Sequence, residues 1–598
     1  MCREETKKPM IRRSLVSLLL TPIFFSIVGF PPLGHSADDL VFERPKTVID
    51  LTSVIDVNSK TLEKQIERFD ASDMYRGPGE PVINDPFKIN GIVRGFISVL
   101  SFQKFALTPS KIVGTSKEGD YLNIGAYAAN LPPCFDPKQS DCIFEFSLKD
   151  STGRVFKAEP FSVLPAVTKY PDVLNAYEFS SDLERYGTFL GKKEFNLPSG
   201  GENWIWNVPN LVPGDRSLYS ASVALAGIRN SSTPQVEFFN PSAKLQITPI
   251  DVDLPICEWN SLPGCQWRDI QIGLDGGVFN SEKLSIKRSV NNFSGSYQLG
   301  FKLSVPWTSW LISTVTGVSI ESSNQGETYI YKVSGEPSII PTVRKWVPVS
   351  ESNKTQLNSL VNGDPCSYQP THCAPIIKLG GSYVTDASFS MLEKAELLSD
   401  SRATFTTKSW MIMSADQITN VTSRMPQTEL QICAKKFAVD GPAGITGSNA
   451  TIFQHTPPTW DKVSRTFSYQ VGSFKLAPDG SEFLGDYSLL VSTDIARCLW
   501  GSDIGAAKAV LQVLNGSGEA QVATTIVNSD SKWFRFRASG FHFSSPKLVA
   551  SIPVADKAPV ADKAPVTKNV TISCVKGKLV KKITAVNPKC PSGYKVKK

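Results

Sequence analysis

Lysine, cysteine and tryptophan are the residue types whose spacing in this chain could do chemistry. Eight lysines fall between Lys576 and Lys598: Lys576, Lys578, Lys581, Lys582, Lys589, Lys595, Lys597 and Lys598. Ammonium groups at that density attract anionic polymers, with an affinity that falls as salt rises. Outside a cell such polymers are wall phosphates, uronic acids and lipid headgroups. Nucleic acid is a poor match, because Tyr594 is the one side chain in this stretch that stacks on a base.

The cysteines point to an oxidising compartment. With Cys2 set aside, ten remain, and they pair by proximity as Cys134 with Cys142, Cys257 with Cys265, Cys366 with Cys373, and Cys574 with Cys590. Cys433 and Cys498 are left for each other. None has the two-residue spacing of a zinc ribbon or a redox motif, so disulfides are expected and a metal is not.

Tryptophans Trp204 and Trp206 lie two apart, and Trp307 and Trp310 follow Pro306. Same-face aromatics on a strand can stack on a sugar ring, but a β core uses them as heavily, and core is the stronger reading. Trp533 is the exception. It alternates away from Phe534 and Phe536, so it is expected at the surface with Arg535 beside it, and these two are the candidate ligand contacts. For catalysis the sequence offers little. His372, His455 and His542 are far apart, no Gly-x-Ser-x-Gly elbow accompanies them, and carboxylates are scattered. Gly441, Gly444 and Gly447 read as a loop. No catalytic residue, cofactor or metal is assigned.

The elements that must position these residues are short strands. Phe467, Tyr469 and Val471 alternate, as do Tyr487, Leu489 and Val491, then Val522, Thr524 and Ile526, then Phe534, Phe536 and Ala538. Leu430 and Ile432 give a further run ending at Cys433, and Lys508–Leu514 reads as a strand. Asp479-Gly480, Asn515-Gly516 and Ser539-Gly540 are turn dipeptides between runs. Further towards the N-terminus, Phe144, Phe146 and Leu148 lead through the turn Asp150–Gly153 into Val155 and Phe156, a hairpin. Tyr219–Leu225 and Tyr297–Val305 are the clearest other strands. Helix is expected over Asn58–Asp70 and, briefly, Met391–Leu398.

Two stretches resemble known modules. Asp494-Ile-Ala-Arg-Cys-Leu-Trp-Gly501, with Val522-Ala-Thr-Thr525, resembles a domain of exported actinobacterial proteins. The tail, Cys574-Val-Lys-Gly-Lys-Leu-Val-Lys-Lys582 with Pro588-Lys-Cys-Pro-Ser-Gly-Tyr594, resembles a C-terminal module of such proteins. The resemblance implies secretion and a β-rich, Cys-stapled body, and brings no catalytic residues with it.

Charge divides the chain. The formal +7 of its 598 residues includes +3 in residues 1–14 and +9 in residues 556–598, leaving a mildly acidic body. Arg12 and Arg13 before the uncharged run Leu15–Phe30, then small residues at Gly34–Ala37, read as a signal peptide. The expected organisation is all-β: a signal at 1–37, β-rich region I at 38–250, region II at 251–426, a β-sandwich at 427–550, a Pro/Ala/Lys repeat linker at 551–569 and a basic disulfide hairpin at 570–598. Two to four antiparallel sandwiches in tandem, with few short helices, fit this pattern. The expected function is that of a secreted, wall-associated binding or structural protein retained by its Lys-rich tail, with a surface glycan, anionic wall polymer or protein as partner. An extracellular polysaccharide hydrolase and a self-assembling surface protein are the alternatives.

Overall fold

The computed structural model describes residues 41–42, 88–89, 92–99, 110–114, 123–163, 184–186, 188–212, 217–230, 236–253, 277–280, 285–288, 293–348, 376–379, 389–390, 392–393, 395–396, 400–415, 427–438, 440–501, 509–543, 547–551, 570–577, 579–585, 589–591 and 593–597. The signal segment, the Asn58–Asp70 helix, the Cys257–Cys265 and Cys366–Cys373 loops, His372 and the linker beyond Ser551 lie outside these residues.

The fold is all-β, as the alternating runs require. α-Helix among the described residues is confined to Glu429–Phe437 (α1), Thr493–Trp500 (α2) and helical residues between Phe389 and Glu396, with a 3-10 turn at Lys193–Phe195. The strands build a continuous path. Strand Leu218–Ile228 pairs with Ser242–Asp253, placing Val223 opposite Leu245. The path continues through Phe405–Ser414 to Trp310–Ser313. There it turns parallel for one step, Trp310 opposite Gly444, and runs on antiparallel through Leu484–Ser492, Trp533–His542 and Thr524–Ser529. Strands Cys142–Asp150, Gly295–Leu303, Val315–Gln325 and the first part of Thr328–Pro348 pair into a second layer. A five-stranded sheet centred on Thr466–Gly472 and Lys547–Ser551 makes a third.

Among the described residues two large hydrophobic cores fill the space between these layers and meet along the shared strands, and a small cluster of Cys134, Cys142, Phe144 and Ile330 lies apart from them. Leu311, Trp410, Ile412 and Leu490 belong to the first core. Trp310, Ile312, Met411, Leu489 and Val491 belong to the second. Successive side chains of a strand point to opposite faces, so these strands are buried on both. The boundaries expected near 250 and 426 are crossed by pairing: Gly295–Leu303 lies against Cys142–Asp150, and Trp310–Ser313 against Gly444–Ser448.

Three local expectations are corrected. Leu430 to Cys433 is helix, not strand. Thr428 and Gln431 form a capping box, and Leu430, Cys433 and Ala434 share the buried face while Ile432 is 51% exposed. The Gly444–Gly447 stretch is strand, not loop. A Cβ on Gly444 would stand 2.5 Å from the Trp310 ring, so glycine lets two backbones approach across that indole. Ser539-Gly540 is a bulge within Trp533–His542 rather than a turn: the register skips Gly540, whose φ is +76°.

Cys433 on α1 and Cys498 on α2 form a disulfide that clamps the two helices against the second core. It closes a loop with a sequence separation of 65. In the chain-entropy model such a loop stabilises the fold by about 4 kcal/mol. The double variant Cys433→Ser/Cys498→Ser is expected to lose stability on that scale in urea unfolding. Gly444→Ala should cost about 2 kcal/mol by overpacking against Trp310, and a stability equal to wild type would refute the close-approach role.

Candidate functional site

The tail is a small scaffold for cations. Strand Val570–Lys576 lies between Leu579–Ala585 and Lys595–Val596. Lys576 stands opposite Leu579, so the turn between them is two residues, with Gly577 at φ +61°. The Cys574–Cys590 disulfide ties the far segment down, and Lys597 N donates to Ser573 O at 2.7 Å. Cys574 is buried, whereas Lys576, Lys589, Lys595 and Lys597 are exposed. Among the described residues none of these four forms an ion pair. Of the other predicted lysines, Lys581 and Lys582 lie on strand Leu579–Ala585, and Lys578 and Lys598 fall outside the described residues. The expected hairpin is therefore present and presents ammonium groups to solvent.

Trp533 does not join it as a ligand contact. It is 7% exposed and packs in the first core, while Phe534 and Phe536 from the same strand pack in the second. Alternation gave the relative facing correctly, but the second face is covered too. Arg535 is ion-paired with Asp530, and Arg537 with Asp486 at 2.9 Å. Trp204, Trp206, Trp307 and Trp310 are core residues. Their indoles find partners inside: Trp206 Nε1 donates to Ala221 O at 3.0 Å, Trp307 Nε1 to Ser414 Oγ at 3.1 Å, and Trp310 Nε1 to Thr446 Oγ1 at 2.9 Å.

The buried carboxylates are matched to different partners. Asp141 accepts from Ser199 N at 3.0 Å and Ser304 N at 2.8 Å, stapling two loops beside the Cys134–Cys142 disulfide. Burial pushes its carboxyl up, against those hydrogen bonds. Glu396 is pushed up to about 7 by burial, opposed by Lys475 Nζ at 3.5 Å. His455 stacks on Phe453 with ring centroids 5.4 Å apart, and burial drives it down to about 4. His542 is exposed, its Nδ1 2.6 Å from Glu482. No three His, Cys, Asp or Glu residues among those described group closely enough to hold a metal.

A groove that sequence reasoning missed lies on the outer face of the five-stranded sheet, with a volume of about 900 Å³. Its floor is Thr459, Ser468, Gln470 and Lys547, the polar alternates of strands whose other face fills the second core. Thr459 stands opposite Ser468, and Gln470 opposite Lys547. Glu393 lines one flank and the Asn515–Gly518 turn another. That turn is held by Asn515 Oδ1, which accepts from Ser517 N at 3.1 Å and Glu519 N at 2.8 Å. The available signal was the polar half of Phe467-Ser468-Tyr469-Gln470-Val471, which alternation alone assigns to plain solvent.

Compared with known proteins, the chain matches no family model and no curated protein. No helix among the described residues is long and apolar enough to cross a membrane.

Glu396 and His455 make opposing contributions to pH dependence. The folded state keeps the Glu396 proton up to about pH 7 while the unfolded chain releases it near 4.5, so this term loses stability as pH rises through that window. His455 binds its proton near 4 when folded and near 6.5 when unfolded, so its term loses stability as pH falls. Relative to wild type, Glu396→Gln should gain stability between about pH 5 and about pH 7. Urea midpoints of both proteins at the two values check this, and a pH-independent difference sinks it.

Proposed function

We propose that this is a secreted, envelope-associated binding protein, held at an anionic surface by its Lys-rich tail. The observation that carries the reading is a disulfide-closed hairpin with Lys576, Lys589, Lys595 and Lys597 all exposed. A three-stranded unit this small has little core, so its bridge keeps the cations on one rigid body. Lysine is a point charge without the planar fork of arginine, which suits diffuse attraction to repeated phosphate or carboxylate groups over recognition of one of them. The disulfides support an oxidising compartment. The mildly acidic body supports a division of labour, in which the tail holds the protein at the envelope and the β-rich body binds a surface polymer.

The test is sedimentation of the full chain with purified actinobacterial cell walls at low and high salt. The wild type is expected to pellet at low salt and to be released at high salt. A full-chain variant with Lys576, Lys589, Lys595 and Lys597 all changed to Gln should bind about tenfold more weakly or worse. Equal pelleting of both proteins, or binding indifferent to salt, would overturn electrostatic retention.

A further inference from the structure

We infer that the groove over the five-stranded sheet binds a short, neutral oligosaccharide. This rests on reading the body as the binder of a surface polymer, and names the site and the class of ligand.

The floor is a regular polar array. Opposed side chains on antiparallel strands stand about 5 Å apart, so Thr459 beside Ser468 and Gln470 beside Lys547 offer closely spaced hydrogen-bonding groups. Hydroxyl and amide side chains both donate and accept. Sugar hydroxyls do the same, and neighbouring hydroxyls on a ring are spaced to meet such groups in pairs. Leu514, which is half-buried, adds carbon surface for the C–H face of a ring. The volume of about 900 Å³ lies at the upper end of ordinary small-ligand sites, so it suits several linked rings better than one.

The groove is also prepared in advance. Gln454 Nε2 is held by Thr456 Oγ1 at 2.6 Å and Pro457 O at 3.0 Å, and Tyr469 donates to Gln454 O from beneath. With the Asn515 turn already bonded, little ordering remains to oppose binding.

Other ligand classes fit less well. A peptide added as a strand needs a long free edge, but the central strand is paired with Lys547–Ser551 over 466–470 and with Thr459–Asp461 over 466–468, and Thr459–Asp461 itself is only three residues long. An anionic polymer needs several cations, and the lining sets one lysine, Lys547, against one carboxylate, Glu393. Glu393 is the single carboxylate among the described lining residues, and its neighbour Glu396 is buried beside Lys475 rather than in the lining, so binding and not cleavage is proposed.

Calorimetric titration of the full chain against neutral gluco-, manno-, galacto- and arabino-configured hexasaccharides tests this. High salt throughout silences the tail. At least one hexasaccharide is expected to bind. Gln470→Leu should weaken it about tenfold, and Gln512→Leu, an exposed change on the same sheet outside the groove, should leave it unchanged. Binding by none of the four sugars, or equal binding by wild type and Gln470→Leu, overturns the proposal. Retention on walls at low salt is read separately, so loss of the tail's role and loss of the groove's role give different results.

Discussion

Strands Phe405–Ser414, Trp310–Ser313 and Leu484–Ser492 bury both faces, so every side chain along their centres has to fit one of two cores. A strand in that position has no face on which a polar group meets water. Its backbone must be paired on both edges, and its polar side chains must bond inside. Both conditions hold. Trp310–Ser313 pairs with Phe405–Ser414 on one edge and Gly444–Ser448 on the other. Thr314 Oγ1 accepts from Met411 N at 3.1 Å and shares a bond with Ser409 Oγ at 2.9 Å. Thr446 takes the Trp310 indole. The glycine at 444 follows from the same constraint, because the Trp310 ring fills the space a side chain would need.

The helices close the end of the second core that strands leave open. Trp460, Phe467 and Trp500 meet edge to face with centroids 5.1 to 5.2 Å apart. Around them, Trp500 Nε1 donates to Arg465 O at 2.8 Å, and Trp460 Nε1 to Glu429 Oε2 at 2.9 Å. Glu429 is the first residue of α1, so the carboxylate sits at the positive end of that helix while binding the sheet through Trp460 and Lys462. The disulfide, the ring cluster and this carboxylate fix α1 and α2 to one surface. The groove lies on the opposite face of the same sheet, so its floor is as rigid as the core beneath it.

Much of the fold was legible, and the limits have physical causes. Strand alternation at Tyr219–Leu225 and Phe467–Val471 identified the buried side chains correctly, because one face of each meets a core. The Asp150 hairpin was legible from turn chemistry: Asp150 Oδ1 accepts from Thr152 N and Arg154 N at 2.9 Å. The tail hairpin followed from its cysteines and glycine. Trp533 was misplaced because alternation tells which residues share a face, not whether the other face is covered. Leu430–Cys433 was misread because two apolar residues two apart fit a strand, and only Thr428 and Gln431 outside the run disclose the helix. The groove joins residues 389 to 547, which no local pattern connects. Pairing across the expected boundaries is equally non-local.

The parallel step between Trp310–Ser313 and Gly444–Ser448 governs the order in which the molecule can assemble. As the chain emerges from its N-terminus, the Trp310 strand is available more than a hundred residues before its parallel partner, and Leu484–Ser492 arrives later still. Until then Trp310 and Ile312 have no second core to enter. Contacts of such sequence separation make folding slow, and the waiting strand is a bare apolar edge on which two chains can pair wrongly. The first core alone is thus incomplete, because Ile445, Leu490 and Trp533 can join it only once the later strands have been made.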